Sequence, residues 1–330
     1  MNSCNQASIF EEEESYFNPP KNLNSKNHNS SENISLIQAV EDFKLKGKAE
    51  GRADKTLEQY NYVFNRLLEQ FTDDREAGSI QTRELRKYLA HLMDEGLKKT
   101  SVAIHYRNLN SLFNWLKGEG ILESSPMNDI KEPKTPDKFP KILNKEQVDK
   151  LLNTARNWRR TWAGYRNFTM IVTFLDTGLR LDEFVNAELN NLNFEQRSIK
   201  VDGKGAKDRK VYFGKNTYKC LRHWLKIRDN INEIWDDNIF ISQNGDRLKK
   251  RHVQRTISRI QKKAGLEEVQ VSPHVLRHTA ATLAVENGLD AFSLKRQFGW
   301  EQMRTALKYV HMSDKALQES YRNSSPMDNI

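Results

Sequence analysis

The chain contains, at positions 272–279, the stretch Ser272-Pro273-His274-Val275-Leu276-Arg277-His278-Thr279. This stretch predicts the start of a helix, because Ser272 can cap the first turn and Pro273 lacks the amide hydrogen that would be left unbonded there. Steps of three and four residues then bring His274, Arg277 and His278 onto one face. Two imidazoles and a guanidinium near a helix start suit the binding of phosphate. A polar face exposed to solvent has the same pattern.

A second arginine lies upstream, in the stretch Thr177-Gly178-Leu179-Arg180-Leu181-Asp182-Glu183. The apolar helical pattern before it stops at Gly178, and a new helix is predicted to begin near Leu181. Arg180 therefore lies at a break between two helices, beside the positive end of the second one. Two positive features in one place suit an anion, although a surface arginine in a helix–helix turn also has this pattern.

The sequence between these two stretches predicts one β-hairpin. Residues Ser198–Val201 and Lys210–Phe213 read as short strands, since apolar and polar residues alternate in both. The intervening residues 202–207, Asp-Gly-Lys-Gly-Ala-Lys, form a glycine-rich turn. Lys204 is therefore expected at the tip of the hairpin, where a lone lysine is more often only solvated.

A tryptophan and a tyrosine complete the set of candidate functional residues. Trp300 is the last residue of Phe298-Gly299-Trp300, and Tyr309 follows it nine residues later. Both residue types are also common in protein cores, so neither indicates a function by itself.

In this order and in these contexts, the candidate residues resemble the catalytic motif of the tyrosine recombinase (phage-type integrase) family, with its Xer- and Cre-like members. That motif consists of an arginine, a lysine on a hairpin, His-x-x-Arg, a histidine or tryptophan, and a tyrosine. The matching positions in this sequence are Arg180, Lys204, His274, Arg277, Trp300 and Tyr309. Glu183 matches a glutamate usual three residues after the first arginine, and His278 is a second supporting residue. Trp300 is the one position that departs from the commonest form of the motif, in which this residue is a histidine.

The resemblance implies a site-specific DNA recombinase that cleaves and rejoins strands through a covalent 3′-phosphotyrosyl intermediate at Tyr309. Arg180 and Arg277 would stabilise the negative charge that builds up on the phosphate oxygens. His274 would accept or relay the proton of Tyr309, and Lys204 would protonate the departing 5′ oxygen.

The implied reaction needs no cofactor, neither a metal ion nor ATP, because the arginines neutralise charge and the phosphotyrosyl bond keeps the energy for rejoining. Trp300 would donate a hydrogen bond from its indole nitrogen or pack against Tyr309. Two alternatives remain open. One is a type IB topoisomerase-like enzyme with similar chemistry but little site specificity, and the other is a non-catalytic DNA-binding protein of the same fold.

The distribution of residue types divides the chain into five parts. Residues 1–33 are rich in Asn, Ser and Glu and predict a flexible polar tail, residues 34–118 have helical periodicity, and residues 119–140 hold four of the eight prolines, as a linker would. Residues 141–312 predict a mostly helical domain with the hairpin, and residues 313–330 a tail. The fold class is mainly α with a small β-hairpin or sheet. The resemblance implies a helical core DNA-binding domain followed by a mixed α/β catalytic domain.

The C-terminal tail predicts a short helix over Ser313–Asn323, with Ala316, Leu317 and Tyr321 as its apolar face. So short a helix is marginal in water unless that face is buried. The face can pack on its own catalytic domain, whereas the resemblance implies docking on a neighbouring subunit within a homotetramer on DNA.

The charge of the chain favours a polyanionic partner. There are 53 Lys and Arg against 44 Asp and Glu, a formal net charge of +9, and the first 33 residues hold five Glu but only two Lys. The positive excess therefore lies in the rest of the chain and suits nucleic acid. The resemblance specifies double-stranded DNA with specific recombination sites.

Other features of the composition concern metals and location. The two cysteines belong to no metal-ligand pattern, so the sequence predicts neither a zinc site nor a disulfide framework. No apolar run predicts a membrane span, and the polar N-terminus is unlike a signal peptide. These features together favour a cytoplasmic protein.

Overall fold

In the computed structural model, the chain divides into two compact units, one within residues 1–137 and the other within residues 138–330. The structure describes residues 34–71, 75–135, 140–202, 208–231 and 234–311. These residues are mostly helical and include one three-stranded antiparallel sheet, which confirms the mainly α fold class predicted from the sequence. None of the helices in these ranges is long and apolar enough to cross a lipid bilayer.

The described part of the N-terminal unit is helical. Its elements are α1 (Leu36–Ala49), α2 (Asp54–Gln70), a short 3-10 helix (Ala77–Ser79), α3 (Thr82–Asp94) and α4 (Lys99–Gly118). Apolar residues at three- and four-residue steps on α2 and α4 face one core, in which Phe64 and Phe113 are fully buried. Burying such rings is the main stabilising contribution, about 1.5–3 kcal/mol each.

The C-terminal unit contains the sheet and the remaining helices. Its helices are α5 (Lys145–Asn157), α6 (Trp162–Thr177), α7 (Leu181–Asn186), a short 3-10 helix (Leu189–Asn191), α8 (Lys215–Arg228), α9 (Lys250–Lys263), α10 (Pro273–Glu286), α11 (Ala291–Phe298) and α12 (Met303–Val310). Its strands are β1 (Leu192–Asn193), β2 (Ser198–Val201) and β3 (Arg209–Tyr212).

The apolar helix α6 runs through the main core of this unit and contacts α5, α8 and α10. The Phe174 ring stacks on the Phe184 ring at 4.3 Å, and Phe184 stacks on Phe240 at 4.5 Å. Phe184 lies on α7, so this stack fixes α7 against the end of α6. The break between the two helices is therefore held rigidly by the core.

The sheet has the order β1-β2-β3, with Ile199 of β2 paired to Val211 of β3. The predicted strand over Ser198–Val201 is confirmed. The returning strand begins and ends one residue earlier than predicted, at Arg209 and Tyr212, and β1 was not predicted at all. The two residues of β1 are too few for a period-2 pattern to be detected. The hairpin tip with Lys204 lies outside the described residues.

A second, smaller apolar cluster joins the last three helices of the described chain. Ala281 of α10, Leu294 and Phe298 of α11, and Ala306 and Tyr309 of α12 are buried together. This cluster lays α12 against α10 and so fixes where Tyr309 lies. The predicted helix over Ser313–Asn323 lies outside the described residues.

Candidate active site

Arg180 lies at the junction between α6 and α7. Helix α6 ends at Gly178, which has φ +61°, and a Cβ atom there would lie 2.2 Å from the Phe298 ring. Glycine is therefore required at this position both by the backbone conformation and by packing. The chain then turns so that Arg180 immediately precedes the first residue of α7.

Glu183, in the first turn of α7, binds Arg180 twice. Its Oε2 accepts the main-chain amide of Arg180 at 2.8 Å, and its Oε1 accepts Nη1 of the Arg180 guanidinium at 2.7 Å. The same guanidinium donates from Nη2 to the main-chain carbonyl of Gly299 at 2.6 Å. Arg180 is thus held both at its main-chain amide and at its guanidinium.

Arg277 is buried, which rules out for this residue the solvent-exposed polar face that the sequence left open beside a phosphate site. Its guanidinium donates to the main-chain carbonyls of Gly178 and Phe298. It also lies over the Phe298 ring at 5.2 Å and the Trp300 ring at 5.7 Å. Burial, together with the nearby charge of Arg180, lowers the pKa of Arg277 to about 9, so the group stays charged at neutral pH.

Tyr309 lies on α12 and is only 1% exposed. The Trp300 ring stacks on it almost in parallel, with the ring centres 5.0 Å apart. Its hydroxyl is hydrogen-bonded to Nδ1 of His278. Burial raises the pKa of Tyr309 to about 12, against the opposing effect of the Arg277 charge.

His278, and not His274, contacts Tyr309. Burial, with further contributions from His274 and Arg277, lowers the pKa of His278 to about 4, so this imidazole is neutral at neutral pH and its Nδ1 can accept the tyrosine hydroxyl. His274 is exposed one turn earlier on α10, with its ring centre 5.8 Å from that of His278. The sequence analysis placed both histidines on one face and gave the proton of Tyr309 to His274, whereas the side chain in contact with the hydroxyl is that of His278.

The sequence analysis missed Arg209, which forms a two-bond ion pair with Glu183. The distances are 2.7 Å from Nη1 to Oε1 and 2.9 Å from Nη2 to Oε2. Side chains alternate along β3, so Arg209 lies on the same side of the strand as the buried Val211. This alternation was the sequence signal that could have identified Arg209 as an inward-facing residue. Starting the strand at Lys210 left Arg209 outside it, between the predicted turn and the predicted strand.

The described residues contain no group of three or more His, Cys, Asp and Glu side chains arranged to hold a metal ion. The described part of the site consists of three arginines, one carboxylate, two histidines and a stacked tryptophan–tyrosine pair. Comparison with protein families gives a match to the phage integrase family over residues 141–316 and to its N-terminal SAM-like domain over residues 39–122. The chain belongs to the phage integrase family.

Individual relatives support the same assignment. The chain is 30% identical over 242 residues to the tyrosine recombinase XerC of Corynebacterium glutamicum, which covers 73% of this chain and 77% of that protein. It is 29% identical over 251 residues to the tyrosine recombinase XerD of Listeria innocua, covering 75% and 84%. The family resemblance predicted from the sequence is confirmed, and the chain is a tyrosine-type site-specific recombinase.

A solved structure shares the fold of this phage integrase family member. The XerH site-specific recombinase bound to a palindromic difH substrate superposes with a TM-score of 0.71 at 22% identity, covering 89% of this chain and 85% of that one. The family match spans all six motif positions, from Arg180 to Tyr309. Lys204 lies outside the described residues, so its place in the site stays a prediction.

Proposed function

We propose that this recombinase cleaves and rejoins double-stranded DNA at specific sites through Tyr309, which forms a 3′-phosphotyrosyl bond. The observation that carries the proposal is the position of the Tyr309 hydroxyl, which is bonded to a neutral histidine and lies within the electrostatic influence of Arg277. A DNA substrate also agrees with the cytoplasmic location expected from the sequence.

The two motif arginines stabilise the transition state. Attack on the phosphodiester builds negative charge on its non-bridging oxygens, and the planar guanidinium groups of Arg180 and Arg277 can each present two donors to it. Both groups are fixed in advance by main-chain carbonyls of the segment 298–299, so little reorganisation is needed when charge develops. In comparable sites, the loss of one such donor slows the reaction about 10²–10³-fold.

His278 accepts the proton of the nucleophile. A pKa of about 12 makes the free phenolate of Tyr309 scarce at neutral pH, so the proton has to leave as the oxygen bonds to phosphorus. Nδ1 of His278 is the acceptor in contact with the hydroxyl. The exposed His274 binds a non-bridging oxygen of the phosphate, and Lys204 is the expected acid for the 5′ oxygen.

A basic cleft beside α7 binds the DNA backbone. It is lined by Ser242, Asn244, Asp246, Arg247, Lys249, Arg251, His252, Arg255, Thr256 and Arg259. Arg247 of the cleft donates from Nη1 to Oδ1 of Asn186, the last residue of α7, at 3.0 Å, so the cleft adjoins α7. With a single acidic residue in its lining, the cleft suits a row of phosphates.

A nicked DNA substrate that traps the cleaved strand tests the proposal. Wild-type protein should form a covalent adduct, and Tyr309→Phe should bind the same DNA without forming one. If Tyr309→Phe still forms an adduct, another tyrosine is the nucleophile. If the wild-type protein binds DNA but forms no adduct, the protein is a non-catalytic DNA-binding protein. Exchange of strands between two defined sites distinguishes a recombinase from a topoisomerase-like enzyme.

We also propose that four copies act together on two DNA sites and that residues 313–330 link neighbouring subunits. A chain ending at Met312 should then bind one site nearly as well as the full chain but should not bring two sites together. Gel-shift titrations on one-site and two-site DNA measure both properties. If the shortened chain still recombines, the tail does not have this linking role.

A further inference from the structure

We propose that Arg209 is a positioning residue for the recombination reaction, acting on Arg180 through Glu183. The inference rests on the proposed function, because it concerns the arginine that stabilises the transition state there. Arg209 is the first residue of β3 and its side chain is 14% exposed, while that of Glu183 is 6% exposed.

One carboxylate holds both arginines. Oε1 of Glu183 accepts from Nη1 of Arg180 and from Nη1 of Arg209, each at 2.7 Å. Oε2 accepts the Arg180 amide at 2.8 Å and Nη2 of Arg209 at 2.9 Å. The planar fork of Arg209 therefore fixes the plane of the carboxylate, and that plane determines where the Arg180 guanidinium is held.

Arg209 also supports the main chain on which the active-site arginines rest. Gly299 has φ +60°, and a Cβ atom there would lie 2.6 Å from Nε of Arg209, so the backbone passes directly over the guanidinium. The carbonyl of Gly299 binds Arg180, and the carbonyl of Phe298 binds Arg277. Moving Arg209 would disturb both of these contacts.

A second contact fixes β3 to the same segment. The side-chain amide of Gln297 accepts the main-chain amide hydrogen of Tyr212 at 3.0 Å and donates to the carbonyl of Tyr212 at 2.8 Å. Strand β3 is thus joined to the end of α11 at both its first and its last residue. Strand β3 is coupled in this way to the site of Arg180.

Arg209 keeps the buried carboxylate ionised. Burial alone would raise the pKa of Glu183, but the hydrogen bonds and charge of Arg209, together with those of Arg180, lower it below its usual value. Without Arg209, Glu183 would take up a proton at a higher pH and release its hold on Arg180. A purely structural arginine would not have this effect on the pH dependence of cleavage.

The test compares Arg209→Met and Arg209→Lys with the wild type on the trapping substrate. Arg209→Met should lower the cleavage rate at saturating protein about 10- to 100-fold, as the loss of a supporting partner does in other sites. Its cleavage rate should also fall off at a higher pH than that of the wild type. Arg209→Lys should recover only part of the rate, since an ammonium cannot bind both carboxylate oxygens. The dissociation constant for DNA should change by no more than about twofold in either variant, because many other groups hold the DNA.

A double-mutant cycle with Glu183→Gln isolates the route of the effect. If Arg209 acts mainly through Glu183, Arg209→Met should slow the Glu183→Gln protein clearly less than it slows the wild type, and the loss that remains measures its direct contact with the segment 298–299. Arg228→Met is the control for a merely structural loss, because Arg228 is also buried but its partners, the main-chain carbonyls of residues 236 and 238 and the Asp229 carboxylate at 4.0 Å, do not belong to the site. That variant should be less stable but should cleave at the wild-type rate.

An unchanged rate in Arg209→Met, or an equally large loss in the Glu183→Gln background, overturns the inference while leaving the proposed function intact. Wild-type protein that binds DNA but forms no adduct overturns the proposed function and the inference with it. If Arg209→Met does not fold, Arg209→Lys in the same cycle gives the same decision.

Discussion

In the proposed reaction, the protonation state of the Tyr309–His278 pair controls the nucleophile. Burial raises the pKa of Tyr309 to about 12, and burial lowers the pKa of His278 to about 4, so both groups are neutral between these values. The neutral imidazole can take a proton, whereas the imidazolium cannot. Cleavage therefore depends on His278 being unprotonated.

We expect His278→Gln to lower the cleavage rate about 10²–10⁴-fold, the usual contribution of a positioned base. Glutamine can still accept the hydroxyl hydrogen bond but cannot take up the proton. The wild-type rate should fall as the pH drops towards the pKa of His278, and the variant should lose this acidic limb. Single-turnover cleavage between pH 4 and pH 7 measures both effects.

His274→Gln is the matched control, because His274 is the other histidine on the same face of α10. This variant should keep the acidic limb and lose less of the rate. If His274→Gln removes the acidic limb and His278→Gln does not, the proton acceptor is His274, as the sequence first suggested.

Gly178 should tolerate alanine much less well than a glycine of similar φ that has open space around it. Alanine at this position would have to adopt a φ that is unfavourable for a residue with a Cβ atom, which costs roughly 1–2 kcal/mol of unfolding free energy. The Cβ atom would also overpack against the Phe298 ring, which costs roughly 1–3 kcal/mol more. Gly265→Ala is the control, since Gly265 has φ +65° but nothing within 4 Å of an added Cβ. Chemical denaturation should show a clearly larger loss of unfolding free energy for Gly178→Ala. Equal losses would mean that the Phe298 ring moves aside freely.

At the level of whole elements, the sequence predicted the helix ends that are set by capping residues and glycines close to them in the chain. Helix α10 begins at Pro273 after the cap Ser272, whose side chain accepts the Val275 amide, and α6 ends at Gly178 in the left-handed conformation. These signals act within a few residues of each other, so one sequence is enough to read them.

Contacts between distant elements could not be predicted in the same way. The Tyr309–His278 bond joins α12 to α10, and the Arg209–Glu183 pair joins β3 to α7. Which residues meet depends on how the helices pack, and a shift of one turn along α10 would exchange His274 for His278. The motif order identified the arginines and the tyrosine, but only packing identifies the acceptor and the supporting arginine.

A buried histidine of α4, in contact with α3, makes the stability of the N-terminal unit sensitive to pH. His105 is 1% exposed, its Nδ1 lies 3.0 Å from the Tyr88 hydroxyl, and its Nε2 has no hydrogen-bond partner among the described residues. Burial, with the charge of Arg66, lowers the pKa of His105 from 6.5 to about 4. Its contribution to stability is therefore complete above pH 6.5 and is lost as the pH falls towards 4.

Between pH 7 and pH 5 the wild type should lose about 2 kcal/mol more unfolding free energy than His105→Gln, which has no group to titrate there. Denaturant titrations of the full chain at the two pH values, followed at the N-terminal transition, provide the measurement. Parallel losses in both proteins would show that His105 is protonated without cost in the folded state.

For the molecule as a whole, the positive charge of the basic cleft should govern DNA affinity. The exposed Arg251 and Arg255 line the cleft. Each phosphate contact that is lost should reduce the slope of log affinity against log salt by about one.

We therefore expect Arg251→Gln and Arg255→Gln together to weaken binding and to lower this slope by about two. Arg222→Gln on α8 is the control, because Arg222 is also exposed but packs on Phe194 and Tyr218 away from the cleft lining. Fluorescence anisotropy between 50 and 200 mM salt would measure the slopes. If Arg222→Gln changes the slope as much as the two cleft substitutions do, the DNA does not bind in the cleft.

The helix that carries the nucleophile belongs to the small apolar cluster and not to the main core. Helix α12 has eight residues, and its buried residues are Ala306 and Tyr309. Such an element opens at a lower free energy than the core around α6, so its amide hydrogens should exchange with deuterium sooner. The unbound recombinase would then already sample states with the tyrosine released, and DNA would need only to select them. Because those open states would be rarely populated, the Tyr309 hydroxyl would seldom be available to react with phosphates outside the recombination site.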